Sequence, residues 1–146
     1  MNGLLTICIP SFNRFTALDE LLESLVDSCK NIEEIAEILF VDDGYDTKSS
    51  AYIIEKYKNA PKFKYHKNPI GGSFGGVYAE CLTVASSDFI LVTNDDDILF
   101  PKGIVDSLGL LQTLPSVDIA SPIWLSQSSR IIRGSRFRNR CLGYKQ

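Results

Sequence analysis

Three times in the first hundred residues a short apolar run stops abruptly on a polar cluster. Leu4 to Ile9 ends at Pro10-Ser11-Phe12-Asn13-Arg14, Ile35 to Val41 at Asp42-Asp43-Gly44, and Phe89 to Thr93 at Asn94-Asp95-Asp96-Asp97. Nearly continuous apolar runs of this length read as strands covered on both faces. Between the first two, Leu18, Leu21, Leu22, Leu25 and Val26 recur at the spacing of one helix face, with Thr16 placed to cap it. A second helix fits Ser50 to Tyr57 and a short strand fits Phe63 to His66, followed by a loop at 68–72. Ser73 to Ala85 can be helical although Gly75 and Gly76 weaken it, and Pro101 suits the first turn of a helix carrying Ile104, Leu108 and Leu111. Val117 to Ala120 reads as the start of a fifth strand. Strands alternating with helices predict an α/β fold, a mostly parallel sheet with helices on both faces.

A length of 146 residues suits one domain, and 45% hydrophobic with 23% charged residues is ordinary globular composition. No apolar run approaches the roughly 18 residues that span a bilayer, and no basic stretch precedes Leu4-Leu5 as a secretory signal would require. Cys8, Cys29, Cys81 and Cys141 are widely spaced with no CxxC pair, which predicts reduced thiols in a cytoplasmic protein. Cys8 falls in the first strand pattern as a small core residue. The net charge of −3 is unevenly spread: Asp118 is the last acid, and Arg130, Arg133, Arg136, Arg138, Arg140 and Lys145 follow it. We therefore divide the chain into a domain at 1–125 and, at 126–146, a basic tail or the start of a further part. That tail is either a solvated end or a contact for anions, including peripheral contact with a lipid surface. Nucleic acid is not among the expected partners.

In open α/β sheets, ligands bind beyond the carboxyl ends of the strands, where the three polar clusters fall. Asp95, Asp96 and Asp97 are adjacent carboxylates that raise one another's pKa unless a cation neutralises them. Oxygen ligands with no Cys or His nearby favour a hard ion such as Mg²⁺ or Mn²⁺, which commonly combines one or two carboxylates with substrate phosphates. An isolated acidic triplet is usually a solvated turn; its position at the end of Phe89 to Thr93 favours the ligand reading here. Asp43-Gly44 either ends a strand as a turn or offers a carboxylate to a base N–H or a ribose hydroxyl. Arg14 is placed to meet a phosphate or to pair with one of the acids. Gly71, Gly72, Gly75 and Gly76 match neither the Walker nor the GxGxxG pattern. Trp124 reads as packing, and the lone His66 as an exposed strand residue rather than a ligand.

Together these residues resemble a known family. Ile7-Cys8-Ile9-Pro10-Ser11-Phe12-Asn13-Arg14 resembles the opening strand and loop of family 2 glycosyltransferases, and Val41-Asp42-Asp43-Gly44 is similar to their second-strand signature. Residues 89–101 are similar to the family's DxD strand and the helix start after it. The resemblance implies a GT-A, Rossmann-like fold and a nucleoside-diphosphate sugar donor, usually uridine-linked. It implies that Pro10, Ser11, Asn13 and Arg14 line the nucleoside pocket and that Asp42 or Asp43 meets the base. Asp95 lies near the ribose, and Asp96 or Asp97 holds Mn²⁺ or Mg²⁺. Transfer to a hydroxyl of a saccharide or lipid-linked acceptor, with inversion, is the implied reaction. Two departures stand out. An Arg usual on the helix after the third strand is absent from Gly75-Gly76-Val77-Tyr78-Ala79-Glu80. The family's catalytic base and acceptor wall are expected beyond Gln146, so the chain reads as C-terminally truncated and its base as unassigned. A non-catalytic nucleotide-sugar-binding remnant is the rival reading. A receiver-like signalling domain ranks lower, because the acids follow the second and fourth strands rather than the first.

Overall fold

The computed structural model describes residues 4–114 and residue 116. The expected strand at 117–120, Trp124, the 125/126 boundary and the basic tail lie outside the described residues. The chain divides into two compact units, Met1–Pro101 and Lys102–Gln146. The second unit opens within a helix at Pro101–Thr113, whose buried residues Ile104 and Leu108 lie one turn apart. Lys102 and Asp106 form an i,i+4 ion pair on its exposed side.

The first unit alternates strand and helix throughout: β1 Leu5–Ser11, α1 Phe15–Cys29, β2 Ile35–Asp42, α2 Thr47–Tyr57, β3 Phe63–Lys67, α3 Phe74–Val84 and β4 Phe89–Val92. The four strands form one parallel sheet in the order β3-β2-β1-β4. Each strand lies within two residues of its sequence expectation; burial on both faces selects the unbroken apolar runs of β1 and β2, whereas β3 and β4 are only partly covered.

Right-handed crossovers fix the layers. From β1 to β2 to β3 the chain steps one way across the sheet, so α1 and α2 share a face and pack on each other. From β3 to β4 it steps back past β1, and α3 packs on the opposite face against β1, β2 and β4. Helices therefore cover both faces, as expected. The α3 side buries Cys8, Leu39, Val41, Val77 and Cys81 as one cluster. Strand alternation turns Ile7, Ile9, Ile38 and Phe40 to the other side, where Leu18, Leu22, Leu25 and Ile53 are fully buried. Cys8, Cys29 and Cys81 are free and buried, small apolar fillers rather than a bridge. No described helix is long and apolar enough to cross a membrane.

The amino ends of the strands are tied by a buried carboxylate. Glu37 accepts from the Thr6 hydroxyl at 2.9 Å and from the Ser86 amide at 3.0 Å, and pairs with Lys64 at 2.6 Å. Those donors offset the cost of burying it: burial pushes its carboxyl up, but Lys64 and the Ser86 and Thr6 hydrogen bonds bring it below the ordinary range.

Candidate functional site

Reversal of the strand order at β1 opens a crevice between the carboxyl ends of β1 and β4, the switch point at which such sheets bind ligands. A cavity of about 360 Å³ lies there. Pro10, Ser11, Phe12 and Arg14 come to it from the end of β1, Asp43 from β2, and Asn94 and Asp95 from β4. Gly72, Phe74, Val77 and Tyr78, from the loop before α3 and its first turns, form the remaining wall.

Side-chain hydrogen bonds join the loops to one another. The Ser11 hydroxyl donates to Asp95 Oδ2 at 2.6 Å across the switch point. Arg14 spans the acidic turn, with Nη1 3.1 Å from Asp95 Oδ1 and Nη2 2.6 Å from Asp96 Oδ2. Asp95 is 4% exposed, and burial pushes its carboxyl above the ordinary range, against the pull of Ser11 and Arg14. Asp96, half exposed, is held below that range by the Arg14 guanidinium. Adjacent carboxylates lift one another unless a cation neutralises them; here the Arg14 guanidinium supplies such a charge, and the two carboxyls diverge. Asp97 turns back, its Oδ2 accepting from the Asn94 amide at 3.0 Å and the Thr93 hydroxyl at 3.2 Å.

The acids ending β2 also part company. Asp42 faces inward: its Oδ1 accepts from the Gly44 amide at 2.8 Å, and its Oδ2 from Ser50 at 2.7 Å and Tyr65 at 3.1 Å. Burial, with Asp42 close by, pushes the Tyr65 hydroxyl up to about 12. Asp43 turns to the cavity, accepting from Asn68 Nδ2 at 2.6 Å and the Gly72 amide at 3.1 Å. Gly72 sits at φ 76°, and a Cβ there would meet the Tyr45 hydroxyl at 3.1 Å, so a glycine suits the approach. Asn13 is directed away from the cavity. At φ 55°, it accepts on Oδ1 from the Tyr45 amide at 2.9 Å and the Asp46 amide at 3.2 Å, binding the β1 loop to the β2 loop.

The structure thus brings Pro10, Ser11, Arg14, Asp43 and Asp95 to one cavity with Asp96 at its rim, while Asn13 and Asp42 hold the loops that shape it. His66 is partly buried and lies 2.6 Å from Glu80, away from this cavity. Sequence reading missed the aromatic wall. Phe74 and Tyr78 pack with ring centroids 4.6 Å apart, and the Tyr78 hydroxyl donates to Asn94 Oδ1 at 2.9 Å. Their i,i+4 spacing directly after the glycine loop was the available signal.

Among the described residues, no three His, Cys, Asp or Glu side chains converge as a ready cage for a metal ion. A half-exposed Asp96, next in the chain to the cavity-lining Asp95, nevertheless fits a hard cation that takes one carboxylate from protein and the rest of its oxygens from a diphosphate.

Solved glycosyltransferases share this architecture. S. aureus TarS, residues 1–349, matches with a TM-score of 0.64 and 25% identity over 78% of this chain and 34% of that one. TarS is also known in complex with UDP-GlcNAc. The mannosyltransferase PcManGT of Pyrobaculum calidifontis, solved with GDP-Man and Mn²⁺, matches with a TM-score of 0.64 and 14% identity over 80% of this chain and 34% of that one. An abequosyltransferase of Salmonella typhimurium, RfbV, is 28% identical over 112 residues, 75% of this chain and 32% of its own length. The chain thus spans about a third of the relatives it matches. The fold is GT-A, and because the model of the glycosyl transferase family 2 matches residues 6–141, the chain belongs to that family.

Proposed function

We propose that this chain binds the donor in a metal-dependent glycosyltransferase, which moves a sugar from a nucleoside diphosphate, UDP in the first instance, to an acceptor hydroxyl in polysaccharide or glycan synthesis. The observation that carries this is the cavity at the switch point, where Asp43, Asp95 and Arg14 converge beneath an aromatic wall. Its volume falls in the range of small-molecule sites. Asp43 is the acid for the base, because its carboxylate faces the cavity while Asp42 is engaged inward. Asp95, buried next to Ser11, is positioned for a ribose hydroxyl. Arg14 offers a guanidinium fork to the diphosphate, and Asp96 is the carboxylate for Mn²⁺ or Mg²⁺, with Asp97 behind it closing the turn. A bound divalent ion supplies Lewis-acid neutralisation of the departing diphosphate.

The relatives favour this reading: TarS binds UDP-GlcNAc, PcManGT is solved with GDP-Man and Mn²⁺, and RfbV is an abequosyltransferase. We extend the same reading to a saccharide or lipid-linked acceptor and to inversion at the anomeric carbon. Calorimetric titration of UDP, GDP and CDP, with and without Mn²⁺, tests the donor site. We expect metal-dependent binding of one of them. Asp43→Ala should weaken it on the order of tenfold, the loss of one hydrogen bond to a charged group. No binding of any of the three would sink the proposal.

A further inference from the structure

We infer that Arg14 is an internal counter-cation that bridges Asp95 and Asp96 and competes with a divalent metal for the Asp96 carboxylate until a nucleoside diphosphate draws it away. This rests on the donor-site reading above. Arg14 is held at its base and loose at its tip. Its neighbour Asn13 is locked at φ 55° by bonds to the Tyr45 and Asp46 amides. The Arg14 carbonyl accepts from the Leu18 amide at 3.1 Å, fixing the backbone at the entry to α1. The Arg14 side chain, however, is 53% exposed, and one of its two partners, the Asp96 side chain, is 48% exposed, so its tip has solvent to move into.

The contact geometry is that of a bridge. A guanidinium fork most often grips both oxygens of one carboxylate; here one nitrogen takes Asp95 and the other Asp96. It therefore lies between the two acids, where a dication would have to approach. Two carboxylates and one guanidinium leave one net negative charge. A dication added with Arg14 in place would meet a like charge a few ångström away, in a partly desolvated cleft where repulsion is poorly screened. A diphosphate reverses that balance: its oxygens offer Arg14 a better bidentate partner, freeing Asp96 for the metal.

Manganese titration followed by the EPR signal of free Mn²⁺ tests this without any turnover. Arg14→Gln should bind Mn²⁺ alone on the order of fivefold tighter than the parent chain, the worth of one partly exposed ion pair. Arg14→Lys, which keeps the charge but loses the fork, should fall between them, and Arg14→Gln with Asp96→Asn should lose the gain. UDP should raise Mn²⁺ affinity more in the parent chain than in Arg14→Gln. Equal or weaker Mn²⁺ binding by Arg14→Gln overturns the competition. Failure of the parent chain to bind UDP, GDP or CDP with Mn²⁺ would instead overturn the donor-site reading, while the comparison with Mn²⁺ alone still decides the part played by Arg14.

Discussion

Neighbouring identical residues do different work in this chain, and direction explains the division. In a strand, successive side chains point to opposite faces, so Asp42 turns inward to Ser50 and Tyr65 while Asp43 meets Asn68 and Gly72 at the cavity. Sequence alone placed both acids at a strand end, but which of them faces a ligand depends on a register that appears only with the sheet. Asp95 and Asp96, in the turn after β4, diverge for a different reason: the first is buried and the second half exposed. Burial holds the first carboxyl above the ordinary value of 3.8, and Arg14 holds the second below it. On acidification Asp95 should take up its proton first, and a carbon-13 NMR titration of the carboxyl groups will give that order; Asp96 titrating first would contradict the geometry. The consequences for stability have opposite sign. The charged form of Asp96 stabilises the fold above its unfolded value, and this contribution fades as pH falls through its lowered native value. Ionised Asp95 is a liability at neutral pH, relieved as pH falls through its raised native value.

At the scale of elements, apolar periodicity located the helices, while their ends depended on caps it could not see. Thr16 had the right chemistry for the start of α1, yet Arg14 occupies the cap position with no side-chain hydrogen bond, and Thr16 lies exposed in the first turn. At α2 the cap is Asp46, which accepts from the Lys48 and Ser49 amides and starts the helix three residues before the expected Ser50. Apolar spacing gave no hint of it, because the first turn, Thr47-Lys48-Ser49, is polar. Ser73 caps α3 by accepting from the Gly76 amide at 2.9 Å, which supports a first turn that carries two glycines. Ser73→Ala should therefore cost about 1 kcal/mol in urea denaturation, the usual worth of a lost N-cap. Thr16→Ala, with no cap to lose, should stay within about 0.5 kcal/mol of the parent chain. A similar loss in both would mean that the cap at α3 contributes little.

The order of strands and helices was legible across the first unit, because both-face burial leaves unmistakable apolar runs and right-handed crossovers leave few ways to join them. The aromatic wall at Phe74 and Tyr78 was not, since it arises when α3 is laid over the sheet. The same layering grades the molecule's resistance to opening. Every residue of β1 is buried and β2 nearly matches it, whereas all four residues of β4 are only partly buried. Amide hydrogen exchange should therefore be slowest in β1 and β2 and clearly faster in β4; uniform protection across the sheet would count against this gradient. The buried Glu37 has a longer-term consequence. It sits five residues before Asp42 on the same strand, about 16 Å away at the usual rise, so this buried polar anchor lies at the opposite end of the sheet from the cavity. Substitutions at two places that far apart should add independently, so stability can change at one end while the residues lining the cavity change at the other.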